Sequence, residues 1–157
     1  MLRSVGREQI LDIELKYPNH VDSSIGSGAG SRPWPRPAYL ARVLADLQRH
    51  CTAVQPAFLS SFEWKLCALA AAAQAPGPSR RFPIMVLTEA GTHEEREPEQ
   101  RSLFAACEFA VVWGLEGVVS HCQPLLDFPE LAQWVRGLGL RLATFGGKNN
   151  RADLVRR

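Results

Sequence analysis

The strongest limit on what this chain can become is the order of its strand-like and helix-like segments, which alternate from one end to the other. Residues 10–17 alternate with period two, Leu11, Ile13, Leu15 and Tyr17 against Asp12, Glu14 and Lys16, which predicts a strand that Pro18-Asn19 ends. A Ser-, Gly- and Pro-rich stretch from Asn19 to Pro37 cannot hold a helix or a ladder and reads as a long loop. Leu40, Val43, Leu44 and Leu47 then recur at helical spacing, with Pro37 suited to the first turn. An apolar run at 53–59 follows, weakened as a strand by Pro56, then an alanine-rich helix at 62–73. Residues 83–88 are continuously apolar, as a buried parallel strand requires, and 89–101 form a charged loop.

The alternation continues to the end. Leu103, Ala106, Cys107, Ala110 and Val111 form a helical stripe, and 117–121 a fourth strand. Asp127 suits a helix start, with Leu131, Trp134, Val135 and Leu138 on its inner face and Gly137 and Gly139 at its end. A fifth strand spans 140–145, and 150–157 begins another helix. Such strict alternation implies an α/β fold with a parallel sheet covered by helices. It can close as an open doubly wound sheet or as part of a (β/α)8 barrel; a complete barrel typically takes about 250 residues, against 157 here.

Composition excludes several classes. The chain is 46% hydrophobic and 22% charged, which suits one globular domain spanning 1–157 and argues against disorder. A formal net charge of +2 with scattered basic residues gives no case for nucleic acid. The longest apolar stretch, 66–73, is far short of the ~20 residues of a membrane span, and no secretory signal opens the chain, so a cytoplasmic location is expected. Cys51, Cys67, Cys107 and Cys122 lack the spacing of a zinc site, and Cys67 and Cys107 sit on apolar stripes as core residues. Oligomeric state has no sequence signal.

Glu14 and Lys16 share one face near the C-terminal end of the first strand, where parallel α/β folds place their chemistry. The wet face of an ordinary antiparallel strand would show the same pattern. Gly146-Gly147-Lys148-Asn149-Asn150 lies between a strand and a helix, as a phosphate-cradling loop does, but Asn149 after the lysine breaks the P-loop spacing. His121 and Glu89 each follow a strand, and Trp34 lies between two prolines; a loop position without chemistry explains each as well.

Several segments then fall into one register: residues 11–18 (Leu-Asp-Ile-Glu-Leu-Lys-Tyr-Pro), Ser60-Ser61-Phe62, residues 83–92 from Pro83 to Thr92, Gly117-Val118-Val119-Ser120 with Pro124-Leu125, and the Gly146-to-Asn150 segment. Their order and spacing over about 10–154 resemble the glycerophosphodiester phosphodiesterase family, most nearly its fungal glycerophosphocholine-hydrolysing branch. That resemblance implies a (β/α)8 barrel and hydrolysis of glycerophosphodiesters, small-molecule substrates, to glycerol 3-phosphate and an alcohol with a divalent cation, magnesium or calcium. By the same resemblance Glu14 is the metal ligand, Lys16 a catalytic phosphate contact, and Ser61 and Lys148 line the substrate mouth; His121, directly after a strand, is placed to reach the same mouth.

Departures from the family pattern shape what the resemblance implies. The family's His-Arg-Gly strand, Glu-x-Asp pair and His-Asp have no counterpart before Glu14, the chain's histidines being His20, His50, His93 and His121, and a closing Gly-rich strand does not follow Arg157. The alignment accounts for about five of eight barrel strands. One carboxylate holds a hard cation weakly, so little or no hydrolysis is expected of this polypeptide alone. A non-catalytic module of the same fold and a five-stranded flavodoxin-like domain are the competing expectations, the latter requiring strand order 2-1-3-4-5.

Overall fold

A computed structural model describes residues 10–17, 34–51, 56–74, 81–92 and 102–150. Among these, five strands form one sheet: β1 (Leu11–Glu14), β2 (Ala57–Ser61), β3 (Ile84–Thr88), β4 (Gly117–His121) and β5 (Arg141–Phe145). Their spatial order is β1-β2-β3-β4-β5, and every neighbouring pair is parallel. The helices are α1 (Arg36–His50), α2 (Trp64–Ala73), α3 (Leu103–Val112), α4 (Cys122–Asp127) and α5 (Glu130–Gly137), followed by a 3₁₀ turn at Gly147–Asn150. Strand order without reversal removes both the flavodoxin-like alternative and the antiparallel reading of β1.

Successive crossovers of one hand wind all helices onto the same face, and the packing agrees. The larger core sets Leu59, Ile84, Val86 and Val118 of the sheet against Leu40, Leu44, Leu66, Cys67, Ala106, Cys107 and Val135 of the helices. On the other face Met85, Leu87 and Val119 gather with Phe58, Phe62, Ala143 and Phe145, all from strands or the residue just after one. A sheet with helices outside and side chains alone inside is the arc of a (β/α)8 barrel. β3, at its centre, is buried along its whole length, each Leu or Val there contributing about 1.5–3 kcal/mol. β1 and β5, each with one strand neighbour among the described residues, are half-exposed.

Local chemistry sets the element ends. Pro37 sits in the first turn of α1, where no donor is needed, and the Ser102 hydroxyl accepts from Ala105 N at 3.4 Å to cap α3. The Gln74 amide donates to Phe82 O at 3.0 Å and accepts from Phe82 N at 2.6 Å, tying the end of α2 to the approach to β3. Pro56 stands just before β2, where its carbonyl accepts from Leu11 N at 2.9 Å and its missing donor costs nothing.

Some expectations need correction. The second helix begins at Trp64 instead of residue 62, because Phe62 turns into the concave cluster. Asp127 starts no helix: it ends α4, a helix the periodicity does not reveal, and accepts from Gln123 Nε2 at 2.6 Å. Of the expected inner face of α5, Val135 is fully buried, while Trp134 and Leu138 remain 37% and 42% exposed, Trp134 resting against Phe104 at 4.6 Å. Val111, expected on the buried stripe of α3, is 51% exposed. The body of the long loop, most of the charged loop and the helix after Asn150 lie outside the described residues.

Candidate functional site

Because all five strands run parallel, their C-terminal ends, from Glu14 to Phe145, share one rim of the arc. Register fixes which side chains face inward there. Asp12 pairs with Phe58 and Glu14 with Ser60, so the Asp12, Glu14 and Ser60 side chains share the concave face with Phe58. Lys16, just past the strand, reaches back so that Nζ lies 3.2 Å from Glu14 Oε2, with the lysine side chain 78% and the glutamate 35% exposed. Below them the Ser60 hydroxyl donates to Asp12 Oδ1 at 2.5 Å. Burial pushes the Asp12 carboxyl above its usual range and the Glu14 charge adds to this, while the Ser60 hydrogen bond opposes it.

Ser61 points elsewhere. Its hydroxyl donates to Leu15 O at 2.7 Å and accepts from Glu63 N at 3.1 Å, and the residue is 2% exposed, so it has no surface for substrate. The serine on the concave face is Ser60, itself fully buried and committed to Asp12. Nothing in two adjacent serines tells them apart; the parity with Phe58 and Phe62 is the signal that could have done so.

His121 closes β4 and caps α4, its Nδ1 accepting from Gln123 N at 3.2 Å. That bond assigns the proton of the neutral ring to Nε2. The ring stands edge-on to Phe145 at 5.4 Å, and Phe145 in turn meets Phe62 at 5.9 Å across the arc. A Cβ at Gly146 would lie 2.9 Å from His121 Nε2, and Gly146 has φ +115°, so glycine is required there on both counts. Lys148 donates to Gln123 Oε1, and Asn149 is held by donating to Thr144 O at 2.6 Å. Glu89 accepts from Thr92 Oγ1 at 3.3 Å, and Trp34 is 57% exposed. His20 and His93 lie outside the described residues.

The donor set does not fit a tightly held divalent cation. Among the described residues no group of three or more His, Cys, Asp or Glu side chains converges, and the Glu14 carboxylate is engaged by Lys16. Hard cations take six or more oxygens, so one such carboxylate leaves most of the shell to water. Cys67 and Cys107 offer no nucleophile: burial pushes their thiols up to about 12 and about 11.

The sequence is 31% identical over 145 residues, 92% of this chain, to the glycerophosphocholine phosphodiesterase of Candida albicans. This chain belongs to the glycerophosphodiester phosphodiesterase family. A glycerophosphocholine phosphodiesterase of Schizosaccharomyces pombe is 43% identical over 75 residues, 48% of the chain. The chain spans 12% of the length of the Candida relative and 7% of the fission-yeast one. No protein-family model matches the sequence. A crystal structure of a protein assigned as a glycerophosphoryl diester phosphodiesterase, from Silicibacter pomeroyi DSS-3, superimposes with a TM-score of 0.54 at 23% identity, covering 71% of this chain and 34% of that one. At that identity it speaks for the fold alone: the five-stranded arc corresponds to about a third of that chain.

Proposed function

We propose that this chain is the phosphodiester-binding arc of a glycerophosphodiester phosphodiesterase, a phosphoric diester hydrolase. Its substrate class is glycerophosphodiesters derived from phospholipids, such as glycerophosphocholine, and water splits them to glycerol 3-phosphate and the alcohol. The observation that carries this reading is the Glu14–Lys16 pair at the C-terminal end of β1, inside a segment aligned with fungal glycerophosphocholine phosphodiesterases. The Lys16 ammonium is placed to offset charge on the non-bridging phosphate oxygens as water adds to phosphorus and the alcohol leaves. Glu14 is the carboxylate that a magnesium or calcium ion would meet, and among the described residues no further ligands converge on it. The Nε2–H of His121 and the Lys148 ammonium are further contacts for substrate on the same rim, and Ser61 acts from behind it.

No helix among the described residues is long and apolar enough to cross a membrane. We place the protein in the cytoplasm, a reading supported by four buried cysteines that remain free thiols.

Titrating the chain with glycerophosphocholine and following phosphorus NMR tests the proposal. Saturable shifts that Lys16→Gln abolishes are expected, with no glycerol 3-phosphate resonance emerging when magnesium or calcium is added. An unperturbed spectrum at millimolar ligand, from a chain that circular dichroism shows to be folded, would overturn it.

A further inference from the structure

Among the described residues β1 is a four-residue strand that pairs with β2 alone, so its own ladder gives a phosphate-binding lysine just beyond it little support. Yet the backbone just beyond it is held at successive atoms. Leu15 N donates to Ser60 O at 2.7 Å, and Leu15 O accepts from the Ser61 hydroxyl at 2.7 Å. Lys16 O accepts from the Tyr39 hydroxyl at 3.2 Å. Tyr17 donates through its hydroxyl to Trp34 O at 2.5 Å, and its ring meets Tyr39 edge-on at 5.4 Å. The Arg36 guanidinium lies 4.7 Å from the centre of the Tyr17 ring and is ion-paired with Glu63, which precedes α2.

Residues from the end of β2, the start of α1 and the start of α2 therefore converge on three consecutive residues, 15–17. None of them needs to touch substrate. Burial, and then the Glu63 charge, push the Tyr39 hydroxyl above its usual range, so it stays a proton donor at every physiological pH. The Lys16 side chain leaves this grip into solvent and is directed back to Glu14.

We propose that Ser61, Tyr39 and the Arg36–Glu63 pair are positioning residues that fix the backbone at residues 15–17 so that the Lys16 ammonium is held beside Glu14. The consequence for ligand rests on the phosphodiester-binding reading above; the consequence for the free protein does not. Holding this lysine in one geometry removes the conformational search that would otherwise oppose each phosphate contact.

Two readouts on the full chain separate these consequences. The first is the acylation rate of the Lys16 amine in the absence of ligand, measured by peptide mass spectrometry against exposed Lys65 as internal reference. The second is the affinity for glycerophosphocholine. Tyr39→Phe and Ser61→Ala each delete one hydroxyl and keep the packing. In their folded combination the Lys16 rate should rise about two- to five-fold toward that of Lys65, the size expected for loss of an exposed ion pair. Affinity for glycerophosphocholine should fall together with it. Should the double variant fail to fold, Tyr39→Phe alone decides, with the smaller part of the same rise expected. An unchanged Lys16 rate in a folded variant overturns the proposal. If wild type binds no glycerophosphocholine but the Lys16 rate still rises, the positioning stands and the phosphodiester reading falls.

Discussion

The hydroxyl of Ser60 donates a 2.5 Å hydrogen bond to the Oδ1 of Asp12 on the neighbouring strand, directly beneath the Glu14–Lys16 pair. The bond places a half-buried carboxyl in a position where its charge is opposed by burial and by Glu14, both of which raise its pKa from the ordinary 3.8.

A raised folded-state pKa means that the folded chain binds the Asp12 proton more readily than the unfolded chain does. Stability from this group is therefore greatest below about pH 4, the unfolded value, and is lost as pH rises through the folded value. Asp12→Asn keeps an acceptor for Ser60 and removes the charge. The variant should equal or exceed wild type in urea midpoint at neutral pH, and its midpoint should vary less with pH just above 4. Urea melts at several pH values check this, and a neutral-pH midpoint well below wild type would contradict it.

Lys16 and Lys148 both lie on the rim, but their surroundings differ. Lys148 donates to Gln123, whereas Lys16 is 78% exposed and reaches the Glu14 carboxylate. Lys16→Ala should weaken glycerophosphocholine binding about ten-fold or more and Lys148→Ala about two-fold, by isothermal titration. A larger loss from Lys148→Ala than from Lys16→Ala would show that the ligand sits nearer β5 than β1.

Gly146 combines φ +115° with a His121 nitrogen 2.9 Å from where a Cβ would stand. Gly146→Ala should cost about 1–3 kcal/mol in a denaturant melt. It should also displace the His121 ring from Phe145, visible as a shift of the His121 Cε1–H resonance. A variant with wild-type stability and an unmoved resonance would show that the turn adapts freely.

Burial holds the Cys67 thiol up at about 12 and the Cys107 thiol at about 11, so neither forms thiolate near neutrality. In native buffer at pH 8 both should remain unmodified by an aromatic disulfide reagent for hours and should react at once in urea. Mass spectrometry of the tryptic peptides reads this directly. Rapid native labelling of Cys67 would mean that α2 opens from the sheet far more often than its packing implies.

Much of the architecture could be read locally. The alternation at 10–17 places Asp12, Glu14 and Lys16 on one face because neighbouring Cβ atoms on a strand point to opposite sides, whatever lies nearby. The apolar run of β3 and the stripe of Leu103, Ala106, Cys107 and Ala110 are equally local. α4 escapes notice because it has six residues with Pro124 among them, and Pro in a first turn looks like an interruption until the turn is seen.

What the sequence determined by itself is therefore the succession of strands and helices apart from α4, and the pairing of Glu14 with Lys16 on one side of a strand end. Tertiary structure decided which side of the sheet is concave, that Ser60 faces it while Ser61 grips Leu15, and that Tyr39 and Arg36 arrive behind Lys16. The physical reason is range. Periodicity is a property of a few consecutive dihedral angles, whereas Ser60 meets Asp12 across 48 positions and Ser61 meets Leu15 across 46. Contacts of that kind depend on strand register and on the winding of successive crossovers, which no short window of sequence contains.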